Sequence, residues 1–171
     1  ALTADLPVRD GMVEGEGGVC QIALVERHRG TGGVVNGFVS GFDYAGNMAI
    51  ASTVAHDSHH MIVVGTDRLL MAAAANRLGE VGGGVTVWKD GEELALVELP
   101  IAGLMSDQPA AEMAAKADAM VAAMAACGCT LNNAYMQHSL LALVVIPELR
   151  ISDLGLVDVT KFALTDLFEK D

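Results

Sequence analysis

Two apolar runs, residues 48–55 and 61–64, stand on either side of five consecutive polar residues, His56-Asp57-Ser58-His59-His60. Short, almost wholly apolar runs of this kind suit strands buried in a core, and a chain that holds two must cover them with layers. The polar stretch between them carries three of the five histidines, with Asp57 and Ser58 among the imidazoles. It falls where a connection faces solvent or a cleft. A small molecule or a metal, if the protein handles one, is expected there.

The remaining pattern supplies both helices and strands. Residues 1–18, rich in Gly and Glu, read as a surface lead-in, and 19–171 as one domain. Residues 19–27 alternate as a strand. Residues 34–42, interrupted by Gly37 and Gly41, read as a strand with a bulge or as a short helical turn. Leu69, Leu70, Ala73, Ala74, Arg77 and Leu78 fall at helical spacing and predict a helix over 67–80. Thr66 is its expected N-cap, and Gly82-Gly83-Gly84 stops it. Residues 85–89 and 93–99 around Asp90-Gly91 form the clearest hairpin, with Trp88 packing across it. Ser106 or Asp107 caps a helix over 109–126 that begins with Pro109 and ends before Gly128. Residues 135–143 are helical or extended, 140–146 apolar and buried, 147–151 a last strand or edge, and 164–168 a short amphipathic piece. Hairpins are evident and strict βαβ alternation is absent. The expected class is α+β, a layered domain with mixed, mostly antiparallel β-sheet and packed helices.

Charge and composition then remove whole classes of function. The formal charge of −12, from 22 acidic against 10 basic residues, repels phosphate backbones and anionic lipid, and the basic residues are scattered. Neither nucleic acid nor membrane is an expected partner. No apolar run approaches the ~20 residues of a membrane-spanning helix, and no basic-then-apolar leader opens the chain, so a cytoplasmic location is expected. The chain starts without Met, which reads as processing or as part of something longer. Of 171 residues, 52% are hydrophobic and only 4% aromatic. So apolar a chain needs somewhere to hide its surface, and docking on another domain or subunit is expected.

The histidine stretch leaves three readings open. His56, Asp57 and His59 can converge on one cation, since imidazole and carboxylate suit zinc or iron. Asp57 can instead orient a neighbouring imidazole for proton transfer near neutral pH. Or the group is a set of polar caps bonded to backbone. The Arg27-His28-Arg29-Gly30-Thr31-Gly32-Gly33 segment lets a ligand approach the main chain or is a mobile turn; it has neither the phosphate-loop nor the dinucleotide pattern. Cys20, Cys127 and Cys129 read as reduced thiols, with a sulfur ligand pair at 127 and 129 the lesser option. The H-x-E with P-C-x-x-C of zinc nucleobase deaminases is missing, as are HExxH and G-x-S-x-G. A catalytic eight-stranded barrel, at about 250 residues, does not fit in this length.

Several segments together resemble a known family. They are Glu26-Arg27-His28 with Gly30-Thr31-Gly32, Gly37-Phe38-Val39, Gly41-Phe42, and Ala49-Ile50-Ala51-Ser52-Thr53-Val54-Ala55-His56-Asp57-Ser58-His59. Further on come Ile62-Val63-Val64-Gly65-Thr66, Ala75-Asn76-Arg77-Leu78, Leu99-Pro100-Ile101-Ala102-Gly103-Leu104-Met105-Ser106-Asp107 and Val145-Ile146-Pro147-Glu148-Leu149. In this order, over residues 19–159, the chain resembles the C-terminal domain of bacterial adenine deaminases. It departs where His60 replaces a usual Asn, where Val144 replaces a usual Pro, and in a loose segment over 134–138.

The resemblance implies hydrolysis of adenine to hypoxanthine and ammonia in purine salvage. It also implies a preceding amidohydrolase barrel that holds the metal (iron, manganese or zinc) and the hydrolytic water. None of that barrel is in the chain, so no cofactor and no catalytic residue of its own is expected here, and no deaminase activity in isolation. On this footing His56, Asp57, Ser58, His59 and His60, with Arg27 and His28, are candidates for the edge of an adenine pocket or for a domain contact. Two other functions stay open: an oligomerisation or interaction module, and a small metal-binding protein using His56, Asp57 and His59.

Overall fold

The computed structural model describes residues 1–169. In chain order its elements are β1 (Val8–Arg9), β2 (Met12–Val13), β3 (Cys20–Val25), β4 (Val34–Val39), β5 (Met48–Ser52), β6 (Met61–Gly65), α1 (Arg68–Val81), β7 (Gly84–Lys89), β8 (Glu92–Glu98), α2 (Ala110–Ala126), α3 (Ala134–Leu140), β9 (Leu149–Ser152), β10 (Gly155–Asp158) and β11 (Ala163–Thr165). Six strands form one sheet in the order β4-β3-β6-β5-β7-β8, and β11-β10-β9 form a second. Every strand pairing among the described residues is antiparallel. The layered α+β arrangement expected from the sequence is the one observed.

Strands β5 and β6 lie side by side in the middle of the large sheet and are buried at every position. Alternation sends their side chains to two cores. On one face Ala23, Ala49, Ala51 and Val63 meet Met71, Ala74 and Leu78 of α1. On the other Ile22, Leu24, Ile50, Ile62, Val64 and Val87 meet Met120, Ala123 and Met124 of α2. The α1 face is lined with small residues, so the helix sits close to the sheet. A Cβ on Gly65 would stand 2.6 Å from Met71 Cγ and 2.7 Å from the Met48 carbonyl, which leaves no room for any side chain there.

Local signals set most of the boundaries. Asp90 and Gly91 both have positive φ (50° and 90°), the backbone of a tight primed turn, and the 85–89/93–99 hairpin forms as expected. Trp88, however, packs on the α1-side core. Strand β5 stops at Ser52, short of residue 55, because the Ser52 hydroxyl accepts the Val54 N–H (3.0 Å) and turns the chain. Asp67, not Thr66, caps α1: its carboxylate accepts the Leu70 N–H at 2.9 Å. The Thr66 hydroxyl is already committed, donating to the Gly46 carbonyl and accepting from Met48 N. Helix α1 ends on Gly82 in the left-handed region (φ 81°).

Helix α2 starts after Pro109 without a side-chain cap; Ser106 instead accepts the N–H of Gln108. Residues 34–39 form a regular strand, and Phe42 lies beyond it in a bend. The apolar run over 140–146 is not the buried segment its composition suggests. It follows α3 as a series of turns with no strand partner, so only Ala142 is enclosed and Val145 is 65% exposed. Residues 163–165 pair as β11, and 164–168 are exposed throughout. Within 1–18, β1 and β2 form a short hairpin, tied to α1 by the Arg68 guanidinium through the Val13 carbonyl.

Candidate functional site

The register of the large sheet gathers several connections at one end. Val25 pairs with Val34 and Met61, and Ser52 with Ile62 and Val85. The connections 26–33, 53–60 and 82–83, and the segment 99–105 after β8, therefore emerge together. Arg27, His28 and His56 through His60, the residues singled out from sequence, all lie on this rim.

Two buried or half-buried side chains brace it. Thr53, fully buried after β5, donates its hydroxyl proton to the Gly103 carbonyl (2.6 Å) and accepts the Gly84 N–H (2.8 Å). The Arg27 guanidinium donates from Nε to the His59 carbonyl (2.5 Å) and from Nη2 to the Ala102 carbonyl (3.0 Å). One cation thus joins the histidine connection to the 99–105 turn. Gly103 allows this contact, with φ 72°; a Cβ there would sit 3.0 Å from both Arg27 Nη1 and Thr53 Oγ1.

Glu26 determines the shape of the 26–33 connection. Its carboxylate accepts the N–H groups of His28 (2.6 Å), Arg29 (2.8 Å) and Thr31 (3.0 Å), and the Thr31 hydroxyl (3.0 Å). These bonds, the Thr31 N–H first among them, hold the carboxyl down to about 2. The glycine-rich segment is therefore wrapped around an internal anion. Three of its backbone donors, those of His28, Arg29 and Thr31, turn inward onto that carboxylate and not outward toward a phosphate.

The five polar residues between β5 and β6 divide into anchored and presented groups. His60 is buried: its Nδ1 accepts the Arg27 N–H at 3.4 Å and its Nε2 lies 3.6 Å from an Asp153 carboxylate oxygen. His28 packs on it with ring centroids 4.6 Å apart and donates from Nε2 to the Ser58 carbonyl (2.6 Å). His56 is tied through its backbone N–H to the Ser139 carbonyl (3.0 Å). His59 N–H returns to the Ala55 carbonyl, and its Nδ1 accepts the Ala55 N–H at 3.3 Å. Burial, then His56 and Arg27, lower the His59 pKa and favour its neutral form. The His56 ring meets it edge-on at 5.3 Å. Asp57 and Ser58 are exposed at the tip.

The rim also exposes apolar side chains among its polar ones. Ile101 (45% exposed) and Met105 (59%) flank the carbonyl that Arg27 grips, and Leu154 (76%) follows Asp153. Among the described residues, no group of three or more His, Cys, Asp or Glu side chains is placed to hold a metal ion. The ring nitrogens of His59 and His60 that face the chain are already taken by backbone N–H groups. The described residues present therefore do not fit a metal centre.

Sequence reasoning gave Thr53 and Glu26 no role beyond their place in a strand or a motif, and gave Asp153 none. The partners of Thr53 and Asp153 are main-chain groups or distant residues, which leave no local mark, and most of those of Glu26 are main-chain N–H groups. Elsewhere, His138 is fully buried and accepts or donates at Nε2 to the Tyr44 hydroxyl (2.8 Å), with Phe42 against its ring. The thiols of Cys20, Cys127 and Cys129 are free and buried. No helix among the described residues is long and apolar enough to cross a membrane.

Comparison with known proteins gives a consistent result. The family described as adenine deaminase C-terminal domain matches residues 1–163. Adenine deaminase of Paracoccus denitrificans (strain Pd 1222) is 79% identical over 167 residues, which cover 98% of this chain and 28% of that protein. The adenine deaminase of Ruegeria pomeroyi is 78% identical over 172 residues (99% and 28%), and that of Moorella thermoacetica 47% over 168 (97% and 28%). The chain spans little more than a quarter of the length of these relatives.

Proposed function

The chain belongs to the adenine deaminase C-terminal domain family, and on that premise we propose that it works as the last domain of an enzyme converting adenine and water to hypoxanthine and ammonia. On this reading residues 19–171 act as the working unit, with 1–18 as its lead-in, in the cytoplasm. A preceding catalytic portion holds the metal, which activates water when bound. This chain supplies a shaped, braced rim. The observation that carries the reading is the combination of presented groups (His56, Asp57, Ser58 and the outer edge of His59) with exposed Ile101, Met105 and Leu154. Such a surface suits contact with another domain and with a small heteroaromatic base at its edge.

Each residue then has a task. Arg27 and Thr53 fix the position of the tip through main-chain carbonyls, so the imidazoles do not need to be ordered when substrate arrives. His60 and Glu26 hold the connection from beneath. The isolated chain, given adenine with iron, manganese or zinc, is expected to release no ammonia above the blank. In the full-length enzyme, His56→Ala and His59→Ala are expected to lower kcat/KM for adenine by about tenfold. Turnover by the isolated chain, or unaltered kinetics in both variants, would refute this.

A further inference from the structure

Resting on that reading, we propose that His59 and Asp57 recognise the N3–N9 edge of the purine, His59 donating its Nε2 proton to N3 and Asp57 accepting the N9 proton. Both are specificity-determining residues and neither takes part in bond breaking.

The chemistry of His59 follows from its bonds. Because Nδ1 accepts the Ala55 N–H, a neutral ring must carry its proton on Nε2. The Arg27 guanidinium on the same residue's carbonyl and the His56 ring beside it both oppose a second proton. His59 is half-buried and its Nε2 has no protein partner among the described residues, so it can offer a single neutral N–H to a ligand. Asp57, two residues before it, is exposed and accepts no bond from a protein donor among the described residues. Its carboxylate can only accept. The main chain on both sides is fixed, by His56 N–H on Ser139 O (3.0 Å) and His59 N–H on Ala55 O (2.6 Å). A donor on a held main chain, with a free carboxylate two residues before it, suits a ligand with an acceptor beside a donor.

Adenine has such an edge away from its reacting carbon. Loss of ammonia occurs at C6, so the C6 side must face the hydrolytic water and metal of the catalytic portion. A domain closing the pocket from elsewhere meets the opposite edge, where the N3 lone pair adjoins N9–H. The pairing carries a consequence for substrate choice. In a nucleoside N9 bears the sugar, which removes the proton that Asp57 needs and adds bulk at the same point. A carboxylate left without its donor is costly, so a site of this kind rejects the nucleoside strongly.

The test uses the full-length enzyme carrying this domain, as wild type, His59→Phe and Asp57→Asn, with thermal melts to confirm folding. Adenine turnover is measured together with inhibition by 3-deazaadenine, which lacks the N3 acceptor, and 9-methyladenine, which lacks the N9 proton. His59→Phe is expected to cost adenine about tenfold or more in kcat/KM while leaving the Ki of 3-deazaadenine within about twofold. Asp57→Asn is expected to narrow the preference for adenine over 9-methyladenine by about tenfold. Equal losses for adenine and both analogues would overturn the edge assignment and leave the loop at the pocket. No loss for any of them would overturn the edge assignment and the placement of the loop together.

Discussion

His138 and His59 are both held in the neutral state, but by different surroundings. His138 is walled in: Phe42 lies against its ring, Tyr44 is its hydrogen-bond partner, and burial takes its pKa down to about 3. His59 is only half-buried. Its neutrality comes from partial burial together with the His56 ring and the Arg27 cation, and its inward nitrogen is used by a backbone N–H. The first arrangement stabilises a core and exposes nothing. The second leaves one polar atom free for a ligand at a fixed orientation. What separates them is how many polar edges the fold leaves open, since the residue type is the same.

The largest effect expected from this contrast is on stability at acid pH. In the unfolded chain His138 titrates near its ordinary value of 6.5, and in the folded chain near 3. Between these values the unfolded state binds the proton and the folded state does not, so stability is lost as pH falls from about 6.5 to about 3. The full loss is on the order of 5 kcal/mol. A His138→Gln variant, which keeps a polar partner for Tyr44 but does not titrate, should lack this component. Urea unfolding of both proteins across that range measures the difference. Parallel curves would mean that His138 is not sealed in, and the contrast with His59 would disappear. Glu26, held down to about 2, adds a loss in the same direction below about pH 4.5, and it adds it equally to both proteins.

A smaller effect is expected where the rim joins the core. Thr53→Val keeps the shape but removes the hydroxyl shared by Gly103 O and Gly84 N–H, leaving two buried backbone groups without that partner. About 2 kcal/mol of unfolding free energy should be lost, read from the urea midpoint at constant slope. A loss under about 0.5 kcal/mol would mean that the rim is not braced from within. The contrast would then rest on burial alone.

How much of this could be read beforehand depended on whether a feature was local. The Asp90-Gly91 hairpin and the extent of α1 are written in turn and helix chemistry, and both formed close to expectation. The crowding of His56, Asp57, Ser58, His59 and His60 was visible as composition. The neighbours of β3 were not: it pairs with β6 across the sheet, and only the closed register shows that residues 26–33 and 53–60 share one end. Nor was the bracing visible, because Arg27 and Thr53 bond to carbonyls, and every residue has one. The run over 140–146 misled for a related reason. Apolar content marks a segment as able to be buried, but without strand or helix partners its backbone needs the solvent side.

The smallest effect concerns His56, and it tests which influence governs the neighbouring ring. Among the described residues the half-buried His56 ring has one ring neighbour, His59, and makes no side-chain hydrogen bond, so His56→Ala in this chain should change stability by no more than about 0.5 kcal/mol. Its consequence should appear in titration. His56 is the second influence lowering the His59 pKa, after burial and ahead of Arg27. Removing it should raise the His59 midpoint, followed by proton NMR of the ring, yet leave that midpoint below the ordinary histidine value of 6.5, because burial persists. A midpoint reaching or passing the ordinary value would assign the neutral state to His56 rather than to the fold. His59 would then present its outward N–H only while His56 stands beside it, and the two rings would have to be treated as one unit.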